Sequence, residues 1–218
     1  MKRNIVFGAA LCMIAPTAQA TTYLLDFDPT VACSSSCTDS SEILQTYGDQ
    51  PGVDVVYDGE PATPGLQNFL YWSTGYSGLD DIAYYAGGAT LSFVAASGYQ
   101  VGLQSLTLGA WPSTNRDLGF TITDLADAST LLDTGIQTVL GTTPSVFNFD
   151  FSSTTGLQVT FLGDFFNGGV DNISYSATQI DDSGGPTDPS PIPLPASAFL
   201  LIGALGGLAA FRRRSRIS

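Results

Sequence analysis

The sequence predicts an all-β fold, an antiparallel β-sandwich of jelly-roll type, followed by one C-terminal transmembrane helix. Three observations predict the sandwich. Apolar and polar residues alternate in short runs, and Gly-, Asp- and Ser-rich turns separate those runs at near-regular spacing. No segment of the body carries a helical 3.6-residue stripe for more than a turn or two. Roughly ten short strands in about 155 residues are expected to pack as two antiparallel sheets.

The elements follow in order. TTYLLDF at Thr21–Phe27 reads as the first strand. CSSSC at Cys33–Cys37 closes a small loop, and Ser40–Tyr47 is the one candidate for a short helix. A Gly48–Gly52 turn leads to a strand at Val53–Tyr57. Gln67–Trp72, Ile82–Tyr85 and Ala89–Ala95 come next, with Gly87-Gly88 expected as a hairpin turn. Tyr99–Leu108 alternates through Val101, Leu103, Leu106 and Leu108, with a break at Gln104-Ser105 that reads as a bulge. Leu118–Ile122, Leu131–Ile136 and Gln137–Leu140 follow. Val146–Phe151 places Phe147, Phe149 and Phe151 on one face, and Leu157–Leu162 and Val170–Tyr175 complete the set.

Both ends have the character of targeting segments. Residues 1–20 begin with Lys2 and Arg3, continue in an apolar run from Ile5 to Ala15, and close in Ala18-Gln19-Ala20. That is the pattern of a secretory signal peptide, too short in its apolar part for a stable membrane span. The expected domain then covers 21–178. Residues 179–192, rich in Pro, Gly, Ser and Asp, read as an extended linker. The last part, 193–218, contains an uncharged apolar run of about 196–211 and then Arg212, Arg213, Arg214 and Arg216. Sixteen helical residues reach ~24 Å, a little less than a ~30 Å hydrocarbon core, and span it with slight thinning. The arginines would hold the tail on the cytoplasmic side.

Charge narrows the range of functions. Arg116 is the single basic residue between Thr21 and Ser190, against all twenty acidic residues, a formal charge of −19 for the body. Such a surface repels phosphate backbones and anionic lipid, so nucleic acid is not an expected partner. The chain has no His, and the body has no Lys. Ser-His-Asp catalysis, imidazole metal ligation and Schiff-base chemistry are therefore outside its means. Only a carboxylate pair of the glycosidase kind remains, and twenty acids give that little weight. The expectation is a protein that is not an enzyme.

The terminus carries a resemblance. Pro193-Leu194-Pro195-Ala196, a short apolar helix and an Arg cluster at the extreme end resemble the VPLPA variant of the PEP-CTERM sorting signal, with Ile192 where Val is usual. The resemblance covers about the last 27 residues. It implies export from a Gram-negative bacterium through the Sec translocon and signal peptidase, then an inner-membrane-anchored intermediate. An exosortase would act on that intermediate and deliver the body to the cell surface or extracellular matrix, in association with exopolysaccharide. Gly98–Ser176, with GYQVGLQSLTLGAW, FTITD and GVDNISYS, also resembles the body of many such cargo proteins. This second, weaker resemblance implies a carbohydrate-binding-module-like sandwich.

Three groups of residues are candidates for a site. Cys33 and Cys37, the only cysteines after the signal, suit a disulfide in an exported protein, since no further soft ligand is present for a metal. Asp26, Asp28 and Asp171 stand at the end of the first strand and the opening of the last. In calcium-bearing jelly rolls those strands share a structural ion, so the resemblance implies a calcium site with Asp171 as ligand. The other reading is of solvated acids capping turns. Asp80-Asp81 and the group Asp54, Asp58 and Glu60 are weaker acidic candidates. Tyr71-Trp72, Tyr76, Tyr84-Tyr85 and Trp111 could supply a sugar-stacking face, with Trp72 and Trp111 foremost, or simply core. Neighbours in a strand point to opposite faces, so at most one of Tyr71 and Trp72, and one of Tyr84 and Tyr85, belongs to the core.

Overall fold

The computed structural model describes residues 20–59, 69–85 and 88–180. Among them are twelve strands: β1 (Thr21–Leu25), β2 (Val53–Gly59), β3 (Leu70–Trp72), β4 (Ile82–Tyr84), β5 (Ala89–Ala95), β6 (Tyr99–Ala110), β7 (Arg116–Asp124), β8 (Thr130–Asp133), β9 (Gln137–Val139), β10 (Ser145–Ser153), β11 (Gly156–Gly163) and β12 (Gly168–Gln179). All pairings are antiparallel, and they make two six-stranded sheets. The first runs β10-β6-β12-β4-β3, with β1 also on β12; the second runs β2-β5-β11-β7-β8, with β9 also on β7. The two sheets form a sandwich, as the alternation predicts.

One cluster fills the space between the sheets. Val101, Leu103, Leu106 and Leu108 of β6 and Tyr175 of β12 meet Val55 of β2, Phe93 of β5, Phe120 of β7 and Val159 of β11, all buried. Each such side chain contributes about 1.5–3 kcal/mol on leaving water. Phe147, Phe149 and Phe151 pack half-buried against the same cluster from the edge strand β10. The predicted break in β6 is present. Ser105 pairs with Asn148 while Leu103 pairs with Phe151, and on the other side Ser105 pairs with Ser174 while Leu103 pairs with Tyr175. The irregularity restores the inward direction of Leu106 and Leu108. Gln104, freed from the ladder, donates to Ser176 Oγ at 3.0 Å.

Some expectations need correction. Ser40–Tyr47 is not a helix. Its backbone is taken up by the edge of β3: Ser40 N–H donates to Tyr71 O, Tyr71 N–H to Ser41 O, and Ile43 N–H to Phe69 O. β4 and β5 lie in different sheets and do not form the expected hairpin; Gly87 itself lies outside the described residues. The domain also runs slightly past its expected end, since β12 extends to Gln179 and Ile180 N–H donates to Gly98 O at 2.9 Å. No helix among the described residues is long and apolar enough to cross a membrane. The signal segment, residues 181–192, Pro193, Leu194, Pro195, Ala196, the span at 196–211 and Arg212, Arg213 and Arg214 lie outside the described residues.

Two features of the first sheet position the candidate sites. β6 covers one edge of β12 along its whole length. The other edge is shared: β1 pairs from Leu25↔Ile173 onward, and β4 touches it only at Ala83↔Val170. Asp171 and Asn172 fall at the seam between them. Beyond β4, the short β3–β4 hairpin forms the border of the sheet and exposes its outer side to the neighbouring loops.

Candidate functional site

The β3–β4 hairpin sorts its aromatic residues by strand parity. Tyr71 and Tyr85 enter the core between the sheets. Leu70, Ile82 and Tyr84 turn to the outer face and form a second cluster with Tyr76, against which Trp72, Leu79 and Trp111 pack. The neighbours do point to opposite faces, but the expectation of at most one core aromatic fails at Tyr84-Tyr85, both of which are buried. Tyr84 is buried because the loop between β3 and β4 folds back over it.

That loop lies on the sheet because the sheet is bare there. Gly109 of β6 and Gly169 of β12 are direct partners. A Cβ on Gly109 would come within 2.6 Å of Tyr76 O, and one on Gly169 within 2.9 Å of the Tyr76 ring. Tyr76 occupies the groove these glycines leave. Ser77 fastens the loop: its hydroxyl accepts from Ala110 N–H at 2.8 Å and donates to Leu140 O at 2.6 Å. Trp111 enters from the loop after β6, its N–H donating to Asn167 O at 2.8 Å. Phe166, from the loop after β11, remains 55% exposed.

Trp72, Tyr76, Tyr84, Trp111 and Phe166 thus line a half-open pocket with a cavity volume of about 60 Å³. Trp72 and Trp111 stand 5.9 Å apart at 72°, Trp72 and Tyr84 5.9 Å apart at 82°, and Tyr84 and Phe166 6.0 Å apart at 75°. The sequence pointed to four of these five residues. Phe166 was missed. Its signal was the pair Phe165-Phe166 in a loop, of which only one ring, here Phe165, enters the core. The border of the pocket is acidic and internally paired. Asp39 accepts from Ser73 N–H at 2.9 Å, next to Trp72. Arg116 binds Asp164 at 3.2 Å and donates through Nε to Trp111 O at 2.7 Å. Burial raises the Tyr76 hydroxyl well above its ordinary range, with smaller effects from Tyr84, Asp39 and Asp164 in the same direction.

The carboxylates of the predicted calcium site are arranged differently from the expectation. Asp171 is 4% exposed, and its Oδ1 is buried without a hydrogen-bond partner. Its Oδ2 accepts from Asn172 Nδ2 at 2.6 Å. Burial pushes the group up to about 7, and the charges of Asp26 and Asp81 add to the rise. Asp26 accepts from the Tyr47 hydroxyl at 3.0 Å, and Asp81 accepts from the Tyr71 hydroxyl. Asp28 does not join them. Its Oδ1 closes its own turn, accepting from Thr30 N–H at 2.8 Å and Thr30 Oγ1 at 2.7 Å, which holds it below the usual carboxylate range. The second acid whose charge reaches Asp171 is Asp81, just before β4, which abuts the exposed edge of β12. Among the described residues no three acidic or sulfur groups gather closely enough to hold a metal by themselves. Asp54 and Asp58 lie on β2 in the other sheet, and Glu60 lies outside the described residues. Cys33 and Cys37 form a disulfide with Cα atoms 5.3 Å apart, at the loop after β1.

No family model matches the chain, and no curated protein matches it significantly. Among solved structures it is similar to the CBM22-1 xylan-binding domain of Paenibacillus barcinonensis Xyn10C, at 13% identity and a TM-score of 0.31, over 78% of this chain and 100% of that one. It is similar to a family 35 carbohydrate-binding module from Clostridium thermocellum, at 10% identity and a TM-score of 0.31, over 74% and 99%. An isomalto-dextranase from Arthrobacter globiformis T6, complexed with panose, aligns at 12% identity and a TM-score of 0.32, over 73% of this chain. The alignment spans 33% of that enzyme's length.

Proposed function

We propose that the body is a non-enzymatic glycan-binding domain of the jelly-roll, carbohydrate-binding-module-like kind, exported and sorted to the cell surface or extracellular matrix. The observation that supports it is the convergence of Trp72 and Trp111, from a hairpin and a loop 39 residues apart, on one open pocket. Aromatic faces are the groups that pack on the C–H surfaces of a pyranose, and a small number of them suffices for a site. At about 60 Å³ the pocket is far below the roughly 300–1,000 Å³ of sites for drug-sized ligands, so it accommodates one substituent or the edge of one sugar unit. The resemblance of the tail to a PEP-CTERM signal supplies the route: Sec export, a membrane-anchored intermediate, exosortase processing and a polysaccharide matrix as destination.

A structural calcium ion is the second reading, favoured by the unpaired, buried Asp171 Oδ1 within the field of the Asp26 and Asp81 carboxylates. A hard cation is the partner such an oxygen lacks. Asp171 would hold it, aided by Asp26 or Asp81, backbone carbonyls and water. Its contribution would be to tie the ends of β1 and β4 to β12.

The test is binding to the polysaccharide of the producing cells and to neutral β-linked oligosaccharides. Trp72→Ala and Trp111→Ala are each expected to weaken binding by about tenfold, the loss of one ring contact worth roughly 1 kcal/mol or more. Val146→Ala, at an exposed position of β10, should leave it unchanged. Full binding in both folded Trp variants would sink the glycan reading.

A further inference from the structure

We infer that the pocket takes a quaternary ammonium group, carried as a substituent on the glycan it binds. This rests on the glycan reading above and gives that ligand a charge. Three observations lead to it.

The walls come first. All five lining residues are aromatic; Trp72–Trp111, Trp72–Tyr84 and Tyr84–Phe166 meet at 72°, 82° and 75°, while Tyr76 is tilted at 30° to Tyr84 and 36° to Trp111. Near-perpendicular rings enclose a box, whereas a bare pyranose prefers a flat platform. A neutral sugar pushed into the box would bring hydroxyls that need partners. The Tyr84 hydroxyl is already bonded to Ser40 Oγ at 3.1 Å, and the only other polar groups the lining residues carry are the Tyr76 hydroxyl and the two indole N–H groups. A methylated ammonium needs no hydrogen bond and is attracted by the negative faces of the rings.

Charge comes second. The body's formal charge of −19 raises the concentration of cations at its surface. At the border, Asp39 lies beside Trp72 and Asp164 beside Phe166, and the fields of both reach Tyr76 in the wall. The one basic residue nearby, Arg116, is neutralised by Asp164 and spends its Nε–H on the Trp111 carbonyl. No free positive charge of the described residues opposes a cation there.

Size comes third. The pocket holds one small group and no length of polymer. A trimethylammonium head is compact and roughly spherical, which suits a small, half-open aromatic recess. Its remaining bond leads out past the exposed Phe166 to the polymer.

The test uses the full chain and its own fluorescence, since Trp72 and Trp111 are the only two tryptophans. Choline is titrated beside 3,3-dimethyl-1-butanol, which has the same shape with carbon in place of the charged nitrogen. Choline should bind about tenfold tighter than the neutral compound, and more weakly at high salt. Trp111→Phe, which keeps an aromatic wall, should weaken choline several-fold without altering the response to the alcohol. Equal binding of both compounds would make the box merely apolar and overturn the inference. If neutral oligosaccharides bind and choline does not displace them, the glycan reading stands and the charge inference falls. If neither choline nor oligosaccharide changes the fluorescence, both fall. Choline-headgroup vesicles form a last arm: binding to them and to no choline-bearing glycan would place the same chemistry on a lipid and overturn the glycan source.

Discussion

Asp171 is the residue under most tension in the fold. Its carboxyl is pushed up to about 7 in the folded chain, against 3.8 for an ordinary Asp. Between those values the folded state keeps a proton that the unfolded state has lost. Folding therefore loses stability as pH rises from about 4 to about 7, by up to roughly 3–4 kcal/mol from this group, the reverse of the usual carboxylate trend. In chelator, thermal unfolding followed from pH 4 to 8 should show this decline, and Asp171→Asn should flatten it. Calcium added at pH 7.5 should raise the melting temperature of the native chain and not of Asp171→Asn, because only the ionised carboxylate binds. An unaltered pH slope in the variant would refute the assignment. The sequence made Asp171 legible, as an acid opening the last apolar strand. For Asp28 the turn-capping reading is the one the structure bears out, since its carboxylate closes the turn onto Thr30. Asp81 could not be preferred from the sequence alone. Its place depends on β4 abutting β12, a contact between segments about ninety residues apart.

At the level of elements, the fold was legible wherever one face of a strand is buried. β5 has the predicted bounds, and the β6 bulge was visible as a change of parity between Leu103 and Leu106. Where backbone pairing overrides pattern, as along 40–43 beside β3, the reading failed. The same blindness hid the crossing from β4 to β5, since Gly-Gly signals a turn and not the sheet it leads to. The pocket loop was half legible: its aromatics were conspicuous, but the groove at Gly109 and Gly169 exists only once β6 and β12 are paired. The loop after β1 owes part of its stability to the Cys33–Cys37 bridge. For a ring this small, loop-closure entropy gives about 2 kcal/mol. Reduction should lower the melting temperature by several degrees while leaving choline and glycan binding intact, because neither cysteine lines the pocket. Calorimetry with and without reductant decides it, and loss of binding on reduction would contradict this separation of roles.

For the whole molecule, the sorting proposal makes a prediction about mass. Protein recovered from the extracellular matrix of its own cells should begin at Thr21 and end near Pro193–Ala196. Intact mass spectrometry of matrix and membrane fractions reads this directly. A membrane-bound species still ending at Ser218 as the sole form would remove exosortase release and leave a permanently anchored domain. The charge pattern has a further consequence outside the cell. Proteases of the trypsin type need a lysine or arginine in a strand they can pull into their cleft. Between Thr21 and Ser190 this chain offers only Arg116, at the start of β7, paired across the sheet with Val139 and held by Asp164. To enzymes of that specificity, the folded body presents almost nothing to cut.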